Sequence, residues 1–115
     1  MAYDELLEER IDRVLNDRKI HYQKKKMMGG LTFMVRDKMC VGIVRDTLMA
    51  RIDPGMYEAA LKKKGCRQMD FTGRPMKGFV FVEPDGIDLD EDLENWIQLA
   101  LDYNPKAVKS GQRNK

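Results

Sequence analysis

At 115 residues, with 43% hydrophobic and 35% charged residues, the chain fits one soluble domain large enough to bury a core. That composition excludes disordered, collagenous and disulfide-framework classes. Lysine and arginine number 21 and aspartate and glutamate 19, a net charge of +2 that is too balanced to point to nucleic acid on its own.

No apolar run approaches the roughly 20 residues needed to cross a bilayer. The acidic, amphipathic start Met-Ala-Tyr-Asp-Glu-Leu-Leu-Glu-Glu-Arg reads as neither a signal nor a transit peptide. A cytoplasmic protein with no membrane partner is expected. Charge is segregated along the chain: residues 1–18 hold six acids to three bases, residues 54–82 six bases to two acids, and residues 83–104 eight acids and no base. Cys40, Cys66 and the lone His21 do not have the spacing of a zinc site, so no metal is implied. Both thiols are expected reduced, with Cys40 in the core and Cys66 accessible.

A first helix is expected over residues 4–15. Tyr3, Leu7, Ile11, Val14 and Leu15 share one face, and Asp4 and Glu5 suit the positive end of the dipole. From residue 20 to 52 the period changes to that of strands. Gly29-Gly30 breaks the chain after Lys24-Lys25-Lys26-Met27-Met28, and Leu31, Phe33 and Val35 alternate with Thr32, Met34 and Arg36. Asp37-Lys38 and Arg45-Asp46 are turn candidates, which makes an antiparallel meander. Neither pair contains the glycine that tight hairpins favour.

Asp53 is an N-cap and Pro54 a first helical residue for a second helix, with Met56, Tyr57, Ala60 and Leu61 on one face. Lys62, Lys63 and Lys64 complement its dipole, and Gly65 ends it. Phe79-Val80-Phe81-Val82 reads as a strand buried on both faces. A last helix begins near Asp88, where Asp88 and Glu91 match a capping box, and carries Leu89, Leu93, Trp96, Ile97, Ala100 and Leu101 as its apolar stripe until Pro105. The fold class is α+β, a two-layer domain in the order α-βββ(β)-α-β-α. An antiparallel sheet of about five strands is flanked by helices over residues 1–104, followed by a flexible basic tail over 105–115.

Phosphate-loop, dinucleotide, nucleophile-elbow, zincin and EF-hand motifs are missing. Ser110 is the sole serine, so a serine triad is not expected. No catalytic residue and no cofactor are assigned. The best site candidate is the loop from Met69 to Gly78. Its Asp70, Gly73, Arg74 and Lys77 combine cations with close backbone approach and suit a phosphate or carboxylate. The plain alternative is an ordered crossover. Lys24, Lys25 and Lys26 are a possible nucleic-acid contact, or else lysines that keep a sheet edge soluble, with strand alternation splitting them between faces. Nine methionines either fill the core or build an adaptable binding surface.

Three stretches carry a family resemblance: Lys25-Lys26-Met27-Met28-Gly29-Gly30-Leu31-Thr32-Phe33-Met34, Met39-Cys40-Val41-Gly42, and Met69-Asp70-Phe71-Thr72-Gly73-Arg74-Pro75-Met76-Lys77-Gly78. Together they resemble the TfoX/Sxy N-terminal domain of bacterial regulators of competence for DNA uptake, a domain that also occurs as a stand-alone small protein. The similarity runs from residue 1 to about 104. Met28 stands where the family pattern usually has an aromatic residue.

The resemblance implies a two-layer domain similar in outline to type III secretion chaperones. It also implies a regulatory or protein-interaction role without catalysis. A protein partner in transcription is therefore expected, and a homodimer is possible. The alternatives are a nucleic-acid-binding accessory protein using the basic patches, or a small anion binder or enzyme at the 69–78 loop.

Overall fold

A computed structural model describes residues 3–27, 29–68 and 78–107. Helix α1 (Glu5–Asp17) opens on Asp4, whose carboxylate accepts hydrogen bonds from the Leu6 and Leu7 amides at 2.9 and 3.3 Å. Asp4 is therefore the N-cap rather than part of the first turn. The helix runs two residues beyond the expected end. It closes with the Lys19 amide on the Asn16 carbonyl and the Ile20 amide on the Leu15 carbonyl, the pattern of a Schellman motif. Lys19, at φ 58°, occupies the left-handed position usually given to glycine.

Strands β1 (Gln23–Met27), β2 (Gly30–Val35), β3 (Lys38–Val44) and β4 (Thr47–Arg51) form the meander. The β2–β3 turn is Arg36-Asp37, not Asp37-Lys38. Val35 pairs with Lys38, and Arg36 and Asp37 both take positive φ, 55° and 62°, as a type I′ hairpin requires. The Arg45-Asp46 turn lies where expected, with Arg45 at φ 58°. Phe33 pairs with Val41 but Met34 with Met39, so Cys40 is a bulge residue. The bulge turns Cys40 and Val41 both into the core and sends Met39 to the opposite face.

Asp53 accepts the Gly55 amide at 2.8 Å and starts a 3-10 turn over Pro54–Met56, which leads into the short helix α2 (Tyr57–Leu61). Met56 is exposed, unlike its expected place on the buried face, because the 3-10 turn shifts its phase. Gly65, at φ 77°, turns the chain into β5 (Cys66–Gln68), a sixth strand that the sequence pattern did not announce. Strand β6 (Phe79–Val82) is buried apart from Phe79, which is half-buried.

Helix α3 (Asp90–Tyr103) starts two residues later than expected. Its N-cap is Leu89, which offers no side-chain cap, so the Asp88–Glu91 box does not form, and Leu89 is 60% exposed. A 3-10 turn over Asn104–Lys106 follows, and the described fold continues to a buried Ala107.

The six-stranded sheet has the order β1-β2-β3-β4-β6-β5 with every pairing antiparallel. Alternation sends Leu31, Phe33, Val35, Ile43, Leu48, Ala50, Val80 and Val82 to one side. There they meet Leu7, Ile11, Val14 and Leu15 of α1, Tyr57 and Ala60 of α2, and Leu93, Trp96, Ile97 and Ala100 of α3 in a single core. All three helices therefore lie on one face.

Polar ties add to the apolar packing. The Arg10 guanidinium donates to the Ile87 carbonyl at 2.7 Å. Buried Asn104 donates to the Val35 carbonyl at 3.0 Å and accepts from Arg36 at 3.3 Å, so the end of α3 is held on the β2–β3 hairpin.

Candidate interaction surface

The other sheet face carries the residues one step out of phase with the core. Met49 of β4 and Phe81 of β6 pair across the ladder and are buried together, with Met39, Val44 and Phe79 half-buried around them. Gly42 makes room there: a Cβ on it would approach the Met49 Cε at 3.0 Å and the Leu31 carbonyl oxygen at 2.8 Å. The methionine methyl thus lies against glycine backbone.

Two guanidiniums stack on this apolar patch. Arg51 lies 5.1 Å from the centre of the Phe79 ring, and Arg67 lies 4.8 Å from that of Phe81. Such contacts hold a cation flat on a ring while its edges remain able to bond. Arg67 also pairs with Glu83, and Glu83 accepts from the Thr47 hydroxyl at 3.4 Å. The surface thus joins soft, polarisable apolar groups to planar cations. That chemistry suits protein recognition, in which Met, Phe and Arg are enriched.

Charge is divided by layer. The six strands contain six bases and no acid, whereas α1 and α3 together hold ten acids and two bases. The outer surface of α1 and α3 is acidic; of the strand bases, Lys25, Arg51 and Arg67 lie on the opposite face, whereas Lys24, Lys26 and Lys38 lie on the helix side.

The three lysines expected to act together are split. Lys24 faces α1, where its ammonium binds Glu8 at 2.8 Å and Asp12 at 3.1 Å. The Glu8 carboxylate, more than any other group, holds the Lys24 ammonium above the ordinary lysine pKa. Lys25 pairs across from Thr32 and points to the opposite face, while Lys26 is exposed beside Leu31 on the helix side. Asp70, Gly73, Arg74 and Lys77 lie outside the described residues, as do Met28, Met69, Met76 and residues 108–115. Gly78, which ends that loop, accepts the Ile52 amide at 2.7 Å. Lys63 and Lys64 line an open groove of about 240 Å³ with Asp92, Asn95 and Trp96, so a carboxylate already faces these lysines.

Burial pushes the Cys40 thiol up to about 12 and the half-buried Cys66 thiol up to about 11. Neither offers a thiolate near neutral pH. Among the described residues no three His, Cys, Asp or Glu side chains group as metal ligands. No helix there is long and apolar enough to cross a membrane.

Sequence reading missed Arg51 and Arg67 as surface residues. Their stacking partners are set by the β4–β6 and β5–β6 registers, which no local pattern reveals. The signal that was available is the run Phe79-Val80-Phe81-Val82, whose two phenylalanines share a face under strand alternation.

The family model described as the TfoX N-terminal domain matches residues 18–103. No curated protein and no solved structure matches the chain.

Proposed function

The chain belongs to the TfoX N-terminal domain family, and from that premise we propose that it is a non-enzymatic regulatory module that binds a protein in the cytoplasm through the helix-free face of its sheet. Family membership supports a regulatory or protein-interaction role in general terms. The observation that carries the finer reading is Arg51 and Arg67 set against the phenylalanine rings of this face, where half-buried Met39, Val44 and Phe79 border the buried Met49–Phe81 pair. The inner face of the helices is consumed by the core, and the outer surface of α1 and α3 is acidic. The partner would present carboxylates to the two guanidiniums and apolar groups to half-buried Met39, Val44 and Phe79. The 69–78 loop joins β5 to β6, both strands of this sheet, and Asp70, Gly73, Arg74 and Lys77 are proposed as the continuation of the same surface.

Affinity capture from the native cell extract, followed by mass identification, tests this. Arg51→Ala with Arg67→Ala should abolish recovery of the captured protein, since truncating central arginine anchors commonly costs about 2 kcal/mol or more each. Arg74→Ala with Lys77→Ala should weaken it further. Full recovery by both double variants, with their melting curves intact, would remove this surface from the account.

A further inference from the structure

We infer that the outer edge of β1 is a docking edge for an extended acidic segment of a partner protein, which adds to the sheet as a seventh strand. This edge is distinct from the Arg51–Arg67 face and does not depend on that face being used.

β1 ends the sheet: β2 pairs on one side of it and no described strand lies beyond. Which of its backbone groups are free follows from the register. Val35 and Lys38 close the two-residue β2–β3 hairpin, so the Val35 amide and carbonyl point to β3. Backbone direction alternates along a strand. Hence Met34, Thr32 and Gly30 bond toward β1, where their partners are Gln23, Lys25 and Met27. Lys24 and Lys26 therefore direct both N–H and C=O outward. These are two complete bonding positions in the i, i+2 spacing that an incoming strand uses.

The side chains at this edge select the partner's charge. Lys25 and Lys26 are exposed, and neither has an ion pair among the described residues. Pairing with a second copy of β1 would place Lys25 opposite Lys25 and Lys24 opposite Lys26. Like charges directly opposite one another are unfavourable, so the edge resists self-association while remaining open to a carboxylate-bearing strand. Lys24 is held down on α1 by Glu8 and Asp12, which fixes β1 in place before any partner arrives. The opposite edge, β5, has three described residues, against five in β1.

The test uses the full chain labelled with nitrogen-15 and an eight-residue peptide alternating glutamate and valine. Binding should shift the amides of residues 23–27 and slow hydrogen exchange at Lys24 and Lys26. The lysine–valine counterpart should not bind. Lys26→Pro should weaken binding roughly tenfold, the worth of one ladder hydrogen bond. Its melting temperature should hold, because the N–H removed faces solvent. Lys25→Glu with Lys26→Glu should weaken binding by at least about tenfold and admit the basic peptide.

A glutamate–valine peptide N-methylated at every residue has no N–H on either edge, cannot pair and should fail to bind. Several results would each overturn the proposal: no binding of the acidic peptide, equal binding of the basic or N-methylated one, an unaltered affinity of Lys26→Pro, or its unfolding. Amide shifts confined to the surroundings of Arg51 and Phe79 would do so as well, and would instead favour the sheet face.

Discussion

Lysine 19 illustrates how a single residue can hold a conformation that its own chemistry opposes. A left-handed L-residue costs roughly 1–2 kcal/mol through contact of Cβ with the backbone. The cost is tolerated here because two terminal carbonyls of α1 are satisfied by the turn and Ile20 packs against the core. Glycine removes the contact but gives back part of the gain as unfolded-state entropy. Lys19→Gly should therefore stabilise the protein by about 1 kcal/mol, read as a higher urea midpoint with an unchanged slope; a lower midpoint would refute the strain argument.

Tyr22 gives a second residue-scale expectation. Burial, aided by its 2.6 Å hydrogen bond to Asp12, pushes the phenol up to about 12 from an ordinary value near 10. The folded state thus favours the neutral phenol. Below pH 10 this contribution to stability is complete, and it is lost as pH rises through 12, because the unfolded phenol ionises first. In Tyr22→Phe that alkaline loss should be reduced. Burial raises the Tyr57 phenol as well, so an absorbance titration should show Tyr22 and Tyr57 ionising late in the native protein and one fewer late tyrosine in the variant.

At the scale of elements, what was legible depended on whether local pattern or tertiary pairing decides. α3 was evident because Leu93, Trp96, Ile97, Ala100 and Leu101 repeat at helical spacing, and all are buried. β2 was evident from Leu31, Phe33 and Val35. β5 was not: Cys66-Arg67-Gln68 is too short to show alternation, and it is a strand only because β6 pairs with it. The β2–β3 turn was misplaced by one residue because Arg36 and Asp37 adopt left-handed backbone without glycine, a state imposed by the hairpin they close.

The candidate surface was only half legible. Its methionines were apparent in the sequence, but the arginine–phenylalanine stacks depend on register. The Asp70, Arg74 and Lys77 loop falls outside the described residues.

The start of α3 was misread for a physical reason that can be tested. Asp88 and Glu91 have capping-box spacing, yet the residue in the N-cap conformation is Leu89, at φ −82° and ψ 143°, which cannot accept a bond from the first turn. Leu89 is mostly exposed, so little apolar burial is lost by replacing it. Leu89→Asn should add about 1 kcal/mol through a cap at the proper position, measured by denaturant unfolding. No gain would mean that the orphan amides of the first turn are already satisfied by solvent.

For the whole molecule, the decisive question is where the folding unit begins. The family match starts at residue 18, immediately after α1. Yet Leu7, Ile11, Val14 and Leu15 are buried in the same core as Phe33 and Trp96, Arg10 reaches the Ile87 carbonyl, and Asp12 binds both Tyr22 and Lys24. Burying four aliphatic side chains contributes about 6–12 kcal/mol at roughly 1.5–3 each. That is comparable with the whole stability of a typical domain, about 5–15 kcal/mol.

α1 is therefore part of the fold and not an appendage to the matched region. A chain of residues 18–115 should show no cooperative thermal transition and should bind hydrophobic dye, whereas Leu6→Ala, on the exposed side of the same helix, should melt close to the parent. A sharp transition in the truncated chain within a few degrees of the parent would place the core's boundary at residue 18, and the sheet would then have to be stable with its α1-facing side uncovered.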